Sequence, residues 1–305
     1  MYVKFSNLYK ANSDHKKINF KIKELIKKNQ FIGGEEVDKF EYEFAKFVGS
    51  KYCVSLANGT DALEIAIESL NLKKGSEIIV PVNTWISTAE CVNRTGHKLV
   101  FCDIDLHDYC INLDDLVNKI SKKTKVIIPV HLYGYSSKIT EIKKISKKYK
   151  LKVIEDCAQA HGTLHNGQHV GTFGDIGAFS FYPSKNLGAY GDGGAIVTNN
   201  KTIAEKCKRI RNHGALKKYD YKFIGRNSRL DTINAAILRI KLKKLNEKIK
   251  KRNLLAKVYF KNLNHFKKIN LPYINNSIKH SFHQFVIRLD ERDKLKNYLK
   301  KNKID

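Results

Sequence analysis

A chain of 305 residues is long enough to bury a sizeable core and to divide into one large domain and a smaller one. At 42% hydrophobic and 29% charged it has the composition of a soluble globular protein; no apolar run reaches membrane-spanning length and Met1 to Phe20 lacks a signal-peptide core, so the cytoplasm is the expected compartment. The net charge of +27 is spread from Lys16 to Lys303 among Ile, Leu and Asn without a compact basic and aromatic cluster, which argues for solvated helix faces over a nucleic-acid interface and leaves a field that attracts anionic substrates.

In chain order, residues 35–48 read as an amphipathic helix closed by Gly49, and 52–56 as a short strand. Asn58-Gly-Thr-Asp61 then caps a helix running to about Leu70. Strands follow at 77–80, 98–102, 125–130 and 152–155, with helices at about 85–93, 113–120 and 139–149 between them. Two further strands, 177–182 and 194–198, flank a glycine-punctuated loop. Around Lys241 the texture changes: Leu242, Leu245, Ile249, Ala256 and Tyr259 lie at helical spacing among lysines, which predicts a long amphipathic connecting helix. A strand at 282–289 and a helix at 292–300 close the chain. The fold class is therefore α/β, a mostly parallel sheet with helices on both faces, with a large domain over 1–240 and a smaller α+β domain over 241–305.

Cysteines 53, 91, 102, 110, 157 and 207 contain no Cys-x-x-Cys pair and are expected to be reduced core thiols. His161, His165 and His169 are four apart, but Gly162, Gly167 and Gly171 interrupt them; a surface hairpin is expected there, and no metal.

Chemistry concentrates in two segments. Ser180-Phe-Tyr-Pro-Ser-Lys185-Asn-Leu-Gly-Ala-Tyr-Gly-Asp-Gly-Gly194 holds one lysine in an apolar setting between two strands, where an ammonium group loses its proton more easily than in water. Val153-Ile-Glu-Asp156 is an apolar strand that delivers an acid at its end. An acid beside a poised lysine suits pyridoxal phosphate, since a carboxylate keeps the pyridine nitrogen protonated while a lysine carries the cofactor as an imine. Gly59 and Thr60, opening a helix after a strand, offer backbone N–H groups to a phosphate, and the Ser180 hydroxyl can add to them. Trp85, the only tryptophan, follows a strand and offers either core packing or a flat face for a pyridine ring.

With these segments assembled, the chain resembles the fold-type-I pyridoxal-phosphate enzymes, and among them the sugar-nucleotide aminotransferases of the DegT–DnrJ–StrS family. The resemblance runs from about Ile32 onward and rests on Asn58-Gly-Thr-Asp61, Asn83-Thr-Trp85, Glu155-Asp-Cys-Ala-Gln-Ala-His-Gly162, the Lys185 segment and Gly225-Arg-Asn-Ser-Arg229, in that order. It implies that Lys185 is the Schiff-base residue, that Asp156 pairs with the pyridinium and that Gln159 hydrogen-bonds the phenolic oxygen. It further implies that Trp85 stacks on the ring, that Gly59, Thr60 and Ser180 hold the phosphate, and that Tyr182 faces the sugar. Asn227 would reach the phosphate of a neighbouring subunit, making the active unit a homodimer.

Gln159 and the residues after Lys185 look most like members that aminate a 3-keto sugar. The expected reaction is transfer of an amino group from L-glutamate to a dTDP-linked 3-keto-6-deoxyhexose, with a UDP-linked keto sugar second. The sequence stops at Asp305, where members of the family usually continue into a further strand, a His-Tyr-Pro-type loop and closing helices, so the resemblance implies an incomplete small domain with an apolar face at 282–289 exposed. A truncated inactive product and a regulatory or nucleic-acid-binding protein on the same fold are the alternatives of other classes.

Overall fold

Helix and strand periodicity build the centre of the molecule. In the computed structural model, which describes residues 2–217 and 219–305, helices α1 (His15–Lys27) and α2 (Glu35–Val48) lead into strand β1 (Tyr52–Leu56) and helix α3 (Gly59–Ser69). Val37, Phe40, Phe44, Ala45 and Val48 recur at helical spacing along α2 and are at most 6% exposed, and Gly49 ends the helix in the left-handed conformation. Then come β2 (Glu77–Pro81), α4 (Ile86–Arg94), β3 (Lys98–Cys102), α5 (Leu113–Lys119), β4 (Thr124–Ile127), α6 (Ile139–Lys148) and β5 (Lys152–Asp156). A short hairpin, β6 (Leu164–His165) and β7 (Gln168–His169), precedes β8 (Ile176–Ser180) and β9 (Gly194–Thr198). Helices α7 (Lys201–Ile210), α8 (Thr232–Leu242) and α9 (Leu245–Leu263), the short strand β10 (Ile278–Lys279) and helix α10 (Arg292–Lys301) complete the described chain.

The main sheet has the order β1-β9-β8-β5-β4-β2-β3. β9 runs antiparallel to both its neighbours, and every other pairing in the sheet is parallel. All strands except β9 therefore end at one edge, and this edge collects the loops after β1, β2, β4, β5 and β8. Apolar strand residues feed both faces. Phe179, Phe181 and Val197 join α2, α8 and α9 on one side, while Ile154, Ile176 and Ile196 join α3, α4 and α7 on the other. Phe40, Phe44, Phe179 and Phe181 meet edge to face, and each fully buried ring contributes about 2 kcal/mol. All six cysteines are free and buried. No helix among the described residues is long and apolar enough to cross a membrane.

Several expectations need correction. The segment 282–289 is not a strand: it pairs only through single contacts, Gln284 N–H to the Tyr133 carbonyl and the Asn270–Arg288 bridge, because no neighbouring strand lies alongside it. Its apolar residues are also not laid bare, since Phe282 is 6% exposed and packs against His280 and Phe285. The three histidines do sit around a hairpin, but all are buried rather than on the surface. His165 is held by the hydroxyls of Ser136 and Thr140, and His169 accepts from Gly162 N–H, so burial among polar partners replaces solvent. The helix predicted through Lys241 breaks at 243–244, between α8 and α9. Helix α1 precedes the region that patterning resolves; only Ile18 and Leu25 of it are buried.

Candidate active site

Each chemical residue is delivered by the end of a strand. After β1, Asn58 caps α3 by accepting from Asp61 N–H at 2.8 Å. The N–H groups of Gly59 and Thr60, at the first two positions of that helix, have no acceptor in the described chain and lie at the positive end of its dipole. This helix end is pressed onto the sheet. A Cβ on Gly59 would stand 2.6 Å from the Ser180 Cβ, and one on Gly194 would stand 2.2 Å from the Asn58 carbonyl oxygen, so only glycine fits at either place. The result sets the Ser180 side chain beside Gly59 at a helix end with two free amides: an anion cradle.

Asp156 ends β5 and is 5% exposed. Its Oδ2 accepts from the Thr88 hydroxyl at 2.8 Å and its Oδ1 from Ala158 N–H at 3.0 Å. Thr88 spends its proton on Asp156, so the Thr84 hydroxyl, 2.8 Å away, must donate to Thr88. Three residues on, Gln159 Oε1 accepts from Tyr133 N–H at 2.7 Å. That bond fixes the amide with its Nε2 free to donate elsewhere. Tyr133 takes a left-handed backbone, φ 58°, to present this N–H. Thr88 and Tyr133 were not legible as site residues; the Thr84/Thr88 spacing of four across the start of α4 was the available signal.

Lys185 lies in the loop after β8, which is closed by Lys185 N–H to the Tyr182 carbonyl at 2.8 Å and Ala189 N–H to the Phe181 carbonyl at 2.7 Å. Burial lowers its pKa, and the Asp156 charge opposes that shift without cancelling it. His161 and His283 lie within its electrostatic reach, and burial pushes both to low pKa values, His283 to about 3, so they stay neutral. Among the described residues the buried Nδ1 of His283 has no hydrogen-bond partner, and neither buried ring nitrogen of His161 has one at hydrogen-bond distance and angle. The sequence motif contained His161, but nothing in its spacing announced a place beside Lys185.

The remaining expected residues stand at the rim. Trp85 caps α4 with its side chain outward, 73% exposed, so core packing is not its role. Tyr182 is 54% exposed. Asn227 lines an open groove with Asn58, Tyr190, Asp192, Arg229 and Asn234. Its neighbour Arg226 ties that loop to α3 through ion pairs with Glu64 and Glu68.

Among the described residues, His131, Glu155 and Cys157 are the one group with metal-ligand spacing, and their atoms are already committed. Ser137 N–H donates to His131 Nδ1, so His131 Nε2 carries the proton and donates to Glu155 at 2.9 Å. Glu155 also accepts from the amides of Gly171, Phe173 and Gly174. Burial raises the pKa of Glu155, but the bonds from His131 and the amides outweigh it and hold the carboxylate below its ordinary value. Burial keeps Cys157 a thiol. This is a structural knot that pins the 171–174 turn to β5.

Comparison with known proteins accords with this geometry. A family model described as the DegT/DnrJ/EryC1/StrS aminotransferase family matches residues 12–305. The chain is 43% identical over 305 residues to the dTDP-3-amino-3,6-dideoxy-alpha-D-galactopyranose transaminase of Aneurinibacillus thermoaerophilus, covering 99% of this chain and 83% of that protein. It is 42% identical over 278 residues to the UDP-N-acetyl-3-dehydro-alpha-D-glucosamine 3-aminotransferase of Acidithiobacillus ferrooxidans, covering 91% and 75%. Among solved structures, DesV of S. venezuelae in complex with a ketimine intermediate superposes with a TM-score of 0.97 at 34% identity, over 100% of this chain and 82% of that one. Proteins of this family work with pyridoxal 5'-phosphate. The cradle of free amides, the buried carboxylate, the oriented Gln159 amide and the desolvated Lys185 fit that cofactor's phosphate, ring nitrogen, phenolic oxygen and aldehyde carbon. The chain belongs to the DegT/DnrJ/EryC1/StrS aminotransferase family and is a pyridoxal-phosphate-dependent aminotransferase.

Proposed function

We propose that the chain moves an amino group from L-glutamate to carbon 3 of a keto sugar nucleotide, a dTDP-3-keto-6-deoxyhexose, giving a 3-amino sugar for surface glycans. The convergence of Lys185, Asp156, Gln159 and the free amides of α3 on one sheet edge carries the chemistry. The relative in A. thermoaerophilus supports the choice of sugar, and the UDP-sugar relative supports a UDP-linked keto sugar as the second reading.

When bound, pyridoxal phosphate supplies an electron sink for the bond that breaks at the donor's α carbon. Lys185 Nζ is the group that would hold the cofactor covalently and give way to the donor amine. The freed Lys185 amine, whose proton affinity burial has lowered, would take the α proton and deliver it two bonds away, to the cofactor's aldehyde carbon. Asp156, kept in place by Thr88 and Ala158, would hold a proton on the ring nitrogen. Gln159 Nε2 would donate to the phenolic oxygen, Trp85 would cover the ring face, and Gly59, Thr60 and Ser180 would anchor the phosphate. Water would release the donor as 2-oxoglutarate with its nitrogen left on the carrier, and Lys185 would make the reverse proton moves as that nitrogen passes to the keto sugar, whose carbonyl oxygen leaves as water and which Tyr182 would face. Asn227 serves the phosphate of a second copy, so the working unit is a homodimer, and the cytoplasm is its compartment.

The test is the visible spectrum with pyridoxal phosphate, before and after L-glutamate. A band that Lys185→Ala lacks and that glutamate bleaches is the expected result. A band that glutamate leaves unchanged removes glutamate as donor, and no band removes the assignment of Lys185.

A further inference from the structure

A cavity of about 140 Å³ lies behind the Lys185 loop, between residues 183–190 and α9, with Leu8, Ala11 and Asn12 across its mouth. Of the residues in the cofactor cradle it shares only Lys185. Its charged lining is entirely positive: Lys185, Lys241, Lys248 and Arg252, with no carboxylate among the lining residues.

These cations differ from three partly buried arginines among the described residues. Arg211 is paired with Glu41, Arg226 with Glu64 and Glu68, and Arg239 with Glu36 and Glu43. Lys241, Lys248 and Arg252 have no ion pair among the described residues. Lys241 Nζ rests on the Gly188 carbonyl at 2.6 Å and over the Tyr190 ring, and Arg252 donates to the carbonyls of Phe282 and His283. Burial lowers the pKa of all three, Lys241 to about 8. The two acids that act on Lys248, Asp14 and Glu247, do so beyond ion-pair distance and are engaged by Lys244 at 2.7 Å and Lys251 at 3.2 Å.

Desolvated cations without a counter-charge are costly, and a shared cavity that they line invites one. The volume exceeds the roughly 30 Å³ share of a single water several-fold, which is room for a phosphate or carboxylate group. We propose that the cavity between the Lys185 loop and α9 is an oxyanion site in which Lys241, Lys248 and Arg252 bind a phosphate or carboxylate group. The site stands apart from the cofactor's own phosphate seat.

Calorimetric titration of the pyridoxal-phosphate-loaded protein with inorganic pyrophosphate, and separately with glutarate, at 0.15 M salt tests the assignment. Saturable binding of either, weakened about tenfold or more by Lys248→Glu and less than about twofold by Lys251→Glu, is expected. Lys251 is an exposed lysine of the same helix paired with Glu247, so its reversal makes the same change in net charge outside the cavity lining. Tighter pyrophosphate assigns the site to phosphate-bearing ligands, and tighter glutarate to dicarboxylates. Lys248→Gln, which only removes the charge, replaces the reversal if that variant does not fold. Binding that is absent, or that falls equally in both reversals, overturns the proposal. Because the two reversals are compared directly, that result reads separately from the cofactor band that tests transamination.

Discussion

At the scale of single residues, exposure tells Trp85, on which the core does not depend, from Glu155, which is fully buried. Trp85 is 73% exposed, so its removal should leave folding stability within about 0.5 kcal/mol of the parent. Trp85→Ala should weaken cofactor binding about threefold to tenfold, the worth of one aromatic stack, as read by fluorescence or absorbance titration. Glu155 is the opposite case. Glu155→Gln turns an NH2 toward amide donors and should cost about 2 kcal/mol or more in thermal or denaturant unfolding. Its folded pKa is depressed, so its contribution is complete above the unfolded carboxyl range near about pH 4.3 and is lost as pH falls through the lower folded value. The difference between parent and Glu155→Gln should therefore shrink in strong acid. Asp156 and Lys185 were legible because an acid at a strand end and a lysine in apolar company are both unusual in sequence. Thr88 and His161 were not, because a hydroxyl or imidazole acquires meaning only from the neighbours that folding supplies.

At the scale of elements, the seat at the start of α3 depends on strands far along the chain. Gly194→Ala would place a methyl group 2.2 Å from the Asn58 carbonyl and push the helix end away from β8 and β9. Such overpacking costs about 2 kcal/mol, and pyridoxal phosphate affinity should fall with stability; a parent-like affinity in a calorimetric titration would refute the coupling. Strand and helix positions between residues 35 and 198 followed from periodicity, because burial on two faces makes the patterns strong, whereas α1 and α7 were not read from it. The segment 282–289 misled for the same reason in reverse. Its alternating apolar residues pack against aromatic rings and single carbonyls instead of a partner strand, and sequence does not record the absence of a partner.

For the whole molecule, the placement of Asn227 makes a prediction about pairs of chains. If each protomer completes its partner's phosphate site, Lys185→Ala and Asn227→Ala homodimers should each be impaired, and mixing them through unfolding and refolding should restore activity. In the mixed dimer one site keeps Lys185 and receives an intact Asn227 from the other chain. Activity that stays at the sum of the two parents would show that the sites are self-contained. The net charge of +27 was open to a nucleic-acid reading at the level of composition; in three dimensions part of it lines the cavity behind the Lys185 loop, and many other cations pair with the acids of α2, α3 and α9.

The lone reversed strand also sets an order of events during synthesis. β1 pairs with β9 over Tyr52–Thr198 and Leu56–Gly194, and β9 must be inserted between β1 and β8. Until translation has passed Thr198, the nascent chain holds β1 without a hydrogen-bonded neighbour and α3 without the floor that fixes its first turn. Such distant pairing is slow to form and leaves an open edge meanwhile. Ribosome-bound fragments ending before residue 194 should therefore be protease-sensitive and unable to capture pyridoxal phosphate, whatever residues of the site they already contain.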